Sequence, residues 1–315
     1  MRRPSLANLP TPPPGRVGWP WTEEHQVLPD YQPDGRIWPR VSIVTPSYNQ
    51  GFFLEETIRS VLLQGYPGLE YSVIDGGSTD QSVEVIRKYE TWLAYWISQP
   101  DRGQSDAINF GLHRSSGEIL GWLNSDDIYE PGCIEHVATQ FAHRPSCMLL
   151  YGNGWYIDAN GTRTRRCEWI RPYDRARLLS FNFILQPAAF WRRSLWEESG
   201  GLEIAYHWAM DWDWFIRATA RTKAEYLPVD LARFRLRPGI KTFSGGRARE
   251  AEIAEVSRRY GGKCQPTYLM YQLNRLGWSL TCRLGWRPIR SGVEAAFAFA
   301  AWFLRGTVWR GRSVL

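Results

Sequence analysis

Between residues 41 and 124 the chain repeats one pattern: an apolar run of strand length, a short polar cluster, then a segment with helical spacing. VSIVTPS (41–47) leads into GFFLEETIRSVLLQG (51–65), where Leu54, Ile58, Val61 and Leu62 fall on one face. LEYSVIDGGSTD (69–80) leads into SVEVIRKY (82–89), and WLAYWISQPD (92–101) into SDAINFGLHRSS (105–116). EILGWLN (118–124) then runs into Asn124-Ser125-Asp126-Asp127. Strands alternating with helices pair in parallel, so the pattern predicts an α/β fold with a Rossmann-like, mostly parallel central sheet flanked by helices. Ligands of such sheets bind at the carboxyl ends of the strands. The polar clusters sit at those ends: Thr45-Pro46-Ser47-Tyr48-Asn49, Asp75-Gly76-Gly77-Ser78, Asp101-Arg102-Gly103-Gln104 and Asn124–Asp127.

The rest of the chain divides around this core. Residues 1–39 are Pro- and Trp-rich without a period, and read as an extended arm held by Trp19, Trp21 and Trp38. Residues 40–245 read as one domain with a first half at 40–130 and a second at 131–245. That second half holds a helix (133–145), a hairpin (148–166) with an Asn-Gly turn, a helix (210–220) and a strand with a basic loop (224–242). Residues 246–315 read as a C-terminal helical, amphipathic segment. Within it, 268–312 interleave Trp, Leu and Phe with seven Arg and no Lys. Such a stretch is either a helical pair packed on the domain or an anchor on an anionic membrane surface, and 265–315 is the expected site of peripheral membrane contact.

The net charge of +6 favours an anionic partner. No nucleic-acid-binding module is legible, so nucleic acid is not expected. The Trp content (17) suits ligand stacking, a membrane interface or a core. The five cysteines are scattered and form no CxxC pair, which argues against a disulfide framework or zinc site and for a reducing compartment. The N-terminus has no apolar signal core, and the apolar run at 292–304 is shorter than the roughly 20 residues a spanning helix needs. The expected location is the cytoplasm, with the cytoplasmic membrane face as the place for the tail. The sequence leaves the oligomeric state open.

The motifs absent from the chain narrow the chemistry. There is no P-loop, no GxGxxG after the first strand, no GxSxG, and no metal-ligand spacing among the five His. Asp126 and Asp127 at a strand end suit a hard divalent cation, Mg²⁺ or Mn²⁺, bridging to a diphosphate. A helix N-cap is the plainer role for an Asp pair. Basic residues later in the chain, Arg235, Arg237 and Lys241, are candidates for the same phosphates.

VSIVTPSYNQGFFLEETIRSVLLQGYPGLEYSVIDGGSTD, DRGQSDAINFG and WLNSDD, in that order, resemble the family 2 glycosyltransferases over roughly residues 40–240. The resemblance implies the GT-A fold, a nucleotide-sugar donor, a divalent metal and inversion at the anomeric carbon. It implies that Thr45, Pro46 and Asp75 line the nucleotide. Asn124-Ser125-Asp126 takes the family's Asp-x-Asp place, with Asp126 holding the metal and Asp127 beside it. Tyr48, Asn49, Gly76, Gly103 and Gln104 complete the expected donor rim, with Arg235 and Lys241 on its phosphates. Two positions depart from the family pattern. Asn124 stands where Asp is common, and Gly76 where a second acid often reads the uracil N–H, which keeps UDP-, GDP- and dTDP-sugars open as donors.

MDWDWFIR (210–217) resembles the family's acidic motif at a helix start, with Asp211 in the place of the base and Asp213 as a flanking acid. Both acids also suit a helix N-terminus. His207, Trp208, Asp213 and Gln186 are candidates to border the acceptor, a glycan or lipid-linked hydroxyl. The expectation is an inverting, metal-dependent transferase (hexosyltransferase type) of envelope, polysaccharide or glycolipid synthesis. Its rival is a catalytically silent nucleotide-sugar or glycan-binding protein.

Overall fold

The computed structural model of the chain describes residues 3–262, 265, 267–269 and 271–273. The chain divides into two compact units, residues 1–173 with 183–240, and residues 174–182 with 241–315.

The first unit is built on the alternation seen in the sequence. Its elements run β1 (Val41–Ser47), α1 (Gly51–Leu62), β2 (Leu69–Asp75), α2 (Ser82–Tyr89), β3 (Tyr95–Ser98), α3 (Gln104–Arg114) and β4 (Ile119–Trp122). β1 lies between β2 and β4, and every one of its residues is buried, as expected for a parallel strand covered by helices on both faces. β3 is shorter than the apolar run 92–101. A 3₁₀ turn takes up Glu90–Trp92, and Pro100, which has no N–H to donate, follows the strand.

Beyond β4 the chain continues through β5 (Ile128–Tyr129), α4 (Cys133–His143), β6 (Leu149–Ile157) and β7 (Arg163–Arg166). The helix α5 (Arg175–Leu178) belongs to the second unit. Then come β8 (Ala189–Arg192), α6 (Arg193–Ser199), α7 (Met210–Ala218) and β9 (Ala224–Arg235). The sheet order is β3-β2-β1-β4-β8-β6-β9-β5, with β7 pairing β6. The four strands β3-β2-β1-β4 are parallel, as the sequence predicts, and so is the β6–β9 pair. β8 runs antiparallel to both β4 and β6, as β5 does to β9 and β7 to β6. The sheet is therefore parallel in one half and mixed in the other. Short connections such as the 158–162 loop join antiparallel strands, whereas a parallel return needs a long crossover.

Among the described residues, Trp122, Trp191, Trp196, Trp212 and Trp214 are buried in the core of this unit. Trp191 touches Trp122, Trp196 and Trp214, with ring centroids 5.2, 5.7 and 4.6 Å away. The arm packs on the same unit, with Trp19, Trp21 and Trp38 buried. Arg59 of α1, fully buried, donates to the carbonyls of Pro10 (2.9 Å), Pro20 (3.0 Å) and Trp21 (3.0 Å). The Trp19 indole N–H donates to Tyr129 O at 2.7 Å.

The second unit includes a short turn at Lys241–Phe243 and the helix α8 (Gly246–Gly261). Most of the 265–315 tail, together with Cys264 and Cys282, lies outside the described residues. Among the described residues no helix is long and apolar enough to cross a membrane. Cys133, Cys147 and Cys167 are free and buried.

Candidate active site

The strand ends line up in register. Ser47 pairs with Asp75, and Asp75 with Ser98. The Leu123 N–H bonds Val44 O at 3.0 Å, which puts Asn124 at the same edge. Asp75 is fully buried and works within the protein. It accepts from the Ser78 N–H (2.8 Å), the Ser78 hydroxyl (2.6 Å) and the Ser98 hydroxyl (2.7 Å), fixing the loop after β2. Asn49 has a positive φ of 51°, a conformation Asn tolerates better than most residues. Its side-chain oxygen accepts from the Thr79 N–H at 2.9 Å, tying the loops after β1 and β2 together. Tyr48 is exposed beside it. Pro46 is buried, and Thr45 is fully buried with its hydroxyl accepting from Tyr71 at 3.0 Å.

Gly76 marks a close approach. A Cβ there would stand 2.8 Å from Asp101 Oδ2, so the exposed Asp101 carboxylate covers the spot where the family often carries an acid. Gly103, at φ 106°, caps α3, and its N–H bonds Asp101 Oδ1 at 2.7 Å. That turn sets Gln104 against Asn124.

Asn124 is the hub of a buried polar cluster. Its oxygen accepts from Gln104 Nε2 at 2.7 Å, and its amide donates to Asp127 Oδ2 and Gln186 Oε1, both at 3.1 Å. Gln186, buried, also donates to Trp122 O at 2.8 Å. The residue expected at the acceptor thus supports the loop after β4.

The two adjacent acids part company. Asp127 is only 1% exposed, and both its oxygens are engaged, Oδ1 by the Arg235 N–H at 3.0 Å and Oδ2 by Asn124. Burial, then the charge of Asp126, pushes its carboxyl well above the usual range, against the pull of those two donors. Asp126 has a side chain 21% exposed. Burial raises its carboxyl too, with Arg237 and Arg235 pulling it back. The pair therefore does not present two carboxylates to one ion: Asp127 is turned inward, and Asp126 is the half-exposed one.

β9 and its extension carry an arginine ladder, Arg233, Arg235 and Arg237, whose signal in the sequence is R-x-R-x-R with the period of a strand; Arg233 was not among the expected site residues. Arg233 holds Glu130 through Nε (3.0 Å) and Nη2 (2.9 Å). Arg235 holds Glu56 at 2.7 Å and the carbonyls of Asp126 (2.7 Å), Asp158 (2.8 Å) and Ala159 (3.1 Å). Arg235, expected on donor phosphates, is buried with each guanidinium nitrogen hydrogen-bonded, and with these partners it braces the 126–127 turn. Arg237, two residues on, is the rung that reaches Asp126, at 3.5 Å. Lys241 belongs to the second unit.

Asp211 stands in the first turn of α7, half-buried, accepting from the Trp212 N–H at 2.7 Å. Asp213 is buried and ion-paired with Arg217 at 2.9 Å, and Arg217 also donates to Gly201 O at 2.8 Å. Asp213, expected beside the acceptor, is tied through Arg217 to the loop before α7. That loop is joined to α3 by Asn109, which donates to Leu202 O (2.9 Å) and accepts from the Leu202 N–H (2.8 Å). These bonds bring the head of α7, with exposed His207 packed edge-on to Trp208 at 4.6 Å, toward the α3 side of the rim.

A family model described as Glycosyl transferase family 2 matches residues 42–197. An uncharacterized glycosyltransferase of Mycobacterium tuberculosis is 32% identical over 183 residues, covering 57% of this chain and 69% of that protein. The chain belongs to glycosyl transferase family 2. Another relative is a PGL/p-HBAD biosynthesis glycosyltransferase of Mycobacterium bovis, 30% identical over the same shares of each chain. Two solved structures share the GT-A fold. Staphylococcus aureus TarS 1–349 in complex with UDP-GlcNAc has a TM-score of 0.57 at 17% identity, over 88% of this chain and 93% of that one. The mannosyltransferase PcManGT of Pyrobaculum calidifontis, in complex with GDP-Man and Mn²⁺, has a TM-score of 0.56 at 18% identity, over 92% of each chain.

The residues at the rim fit a divalent ion in one way. Among the described residues no group of three or more His, Cys, Asp or Glu is placed to hold a metal. A Mg²⁺ or Mn²⁺ ion at the rim would be held by the Asp126 carboxylate with the remaining ligands from outside the protein, as Mg²⁺ commonly is at phosphate sites.

Proposed function

We propose that this glycosyltransferase is metal-dependent and inverting, and that it moves a sugar from a nucleotide-sugar to a hydroxyl of a glycan or lipid-linked acceptor. The observation that supports this reading is that Asp126 after β4 and Asp211 at the head of α7 both remain partly exposed, whereas Asp127 and Asp213 are buried. One is an acid suited to a metal diphosphate, the other an acid suited to a proton. The nucleotide is bound along the rim formed by residues 46–49, 75–78, 101–104 and 124–126. Asp126 holds the ion, which when bound neutralises charge on the leaving diphosphate. Asp211 takes the proton of the acceptor hydroxyl as that oxygen bonds the anomeric carbon. The bond from that carbon to the diphosphate oxygen breaks on the opposite face, so the configuration inverts. His207 and Trp208 flank the acceptor. Similar proteins support the donor and acceptor classes: TarS binds UDP-GlcNAc, PcManGT binds GDP-Man with Mn²⁺, and the mycobacterial relative belongs to PGL/p-HBAD biosynthesis. The last supports glycolipid synthesis, and with it work at the cytoplasmic face of a membrane.

The test is a panel of nucleotide-sugars assayed with Mn²⁺ for transfer and for hydrolysis, on the wild type, Asp126→Ala and Asp211→Asn. Asp126→Ala is expected to lose Mn²⁺-dependent donor binding. Asp211→Asn should keep donor affinity and lose roughly a hundred- to ten-thousand-fold in rate. Near-wild-type transfer by Asp211→Asn moves the base elsewhere, and a wild type that binds a donor yet transfers nothing is a silent binder.

A further inference from the structure

The three rungs of the arginine ladder are not alike. Arg233 grips Glu130 with two nitrogens, and Arg235 is wholly buried with every partner at hydrogen-bond distance. Arg237 is the loose rung. It meets Asp126 Oδ2 through a single contact of 3.5 Å, donates to Gln50 Oε1 at 2.9 Å, and has a buried Nε with no partner. Its guanidinium lies over the Phe53 ring, 4.7 Å from the centroid, while Arg235 lies over the same ring at 4.9 Å. A planar, always-charged group is thus stacked in place with its Nε unused, against the rim acid assigned to the metal.

We propose that Arg237 is a placeholder for the divalent cation: without donor it neutralises Asp126, and when a metal-bound diphosphate arrives it transfers to the phosphate oxygens. The inference rests on the metal site of the preceding section. An ion with two positive charges and a guanidinium cannot share the same carboxylate oxygen without strong repulsion, so one displaces the other. The contact to be given up is long and partly exposed, the weak kind of ion pair. The contact to be gained is the strong kind, because a guanidinium fork matches phosphate oxygens with two parallel N–H bonds, and Nε is one arm of that fork. Phe53 keeps the guanidinium at the rim during the exchange. Gln50, in the loop before α1, holds it in the resting position. The device makes metal and nucleotide bind together: the free ion competes with Arg237, whereas the ion carried by a diphosphate brings Arg237 a new partner.

Mn²⁺ binding is measured by electron paramagnetic resonance, first with the metal alone and then with UDP or GDP, on the full chain, Arg237→Gln and Arg237→Lys. Arg237→Gln should bind Mn²⁺ alone about fivefold more tightly, the scale of a partly exposed ion pair, because the competing cation has gone. With saturating Mn²⁺ it should bind the diphosphate tenfold or more weakly. Arg237→Lys, which keeps the charge without the fork, should hold Mn²⁺ as weakly as the wild type and lie between the two for the diphosphate. The opposed signs separate this role from a structural one, which weakens both or neither. Mn²⁺ alone binding Arg237→Gln no better than the wild type overturns the placeholder and leaves the metal site standing. A wild type that binds UDP or GDP with no response to Mn²⁺ overturns both.

Discussion

In the parallel half of the sheet, β1 to β4, the strands are covered on both faces, and nearly every polar group with chemistry in it stands at a strand end. In the mixed half, β5 to β9, the arginines of edge strand β7 stay exposed, but charged side chains of the inner strand β9 go inside. Arg233 and Arg235 lie on an inner strand against Glu130 and Glu56, and Gln186 lies beneath the 124–127 turn. The same residue types therefore mean different things in the two halves. An Asp or Asn at the end of a parallel strand faces the rim, while an Arg in β9 is a buried support for what the rim presents. The 124–127 turn is where the halves meet, and each of its acids belongs to one of them: Asp126 to the rim, Asp127 to the buried support.

The sharpest way to break this contrast is Arg235→Met. It strands Glu56 as an unpaired buried charge and frees three carbonyls, so denaturant unfolding should show a loss of roughly 3–5 kcal/mol. The double change Glu56→Leu with Arg235→Met should recover much of it, since a matched apolar pair leaves no charge uncompensated. A loss under about 1 kcal/mol for the single change would mean that β9 carries its arginines as surface strands do.

Asn124→Asp sharpens the contrast from the rim side. It restores the residue common in the family, but it removes the two N–H bonds to Asp127 and Gln186 and sets a second carboxylate against the first. The expected loss is about 1–3 kcal/mol by thermal unfolding. A neutral result would show that the amide is interchangeable and that the hub lies in Gln104 or Gln186.

The smallest effect belongs to the parallel half, at Arg102–Asp106, 2.7 Å apart at the exposed start of α3. Asp106→Asn should lose about 0.3–0.5 kcal/mol at neutral pH. Hydrogen bonds from Arg102 hold the Asp106 carboxyl below its usual value. Its contribution is therefore present above about pH 4, the unfolded value, and fades as pH falls through the lower folded value. Wild-type and variant melting curves should converge in acid, and a gap that widens there would contradict the assignment.

The parallel half was legible because its signals are local. Val41–Ser47, Leu69–Asp75 and Ile119–Trp122 are continuous apolar runs, and each is followed by the turn residues that end it. The rim followed from those ends. The roles of Arg235, Gln186, Asp127 and Asp213 were not legible, because each is set by a partner far away in sequence. Arg235 meets Glu56 179 residues away, and Gln186 meets Asn124 62 residues away. A carboxylate with an arginine four residues on, as in Asp213 and Arg217, reads equally well as a reactive acid and as a helix ion pair. Burial decides between them, and a single sequence does not print burial. The same holds for Trp122, Trp191 and Trp214, which a sequence fits to a ligand platform or a core alike and which their mutual contacts place in the core.

The clamp of Arg59 on the arm bears on where this protein can be cut. The span that recurs in relatives begins at residue 42, while three of the four acceptors named for the Arg59 guanidinium are carbonyls of residues 10, 20 and 21. Starting the chain at residue 42 would keep every motif of the rim and strip the Arg59 guanidinium of three of its hydrogen-bond partners, leaving the Tyr89 hydroxyl. Inheritance and self-sufficiency thus draw different borders on the same chain, and an expression boundary at residue 40 would yield a fragment with its rim motifs complete and Arg59 short of its acceptors.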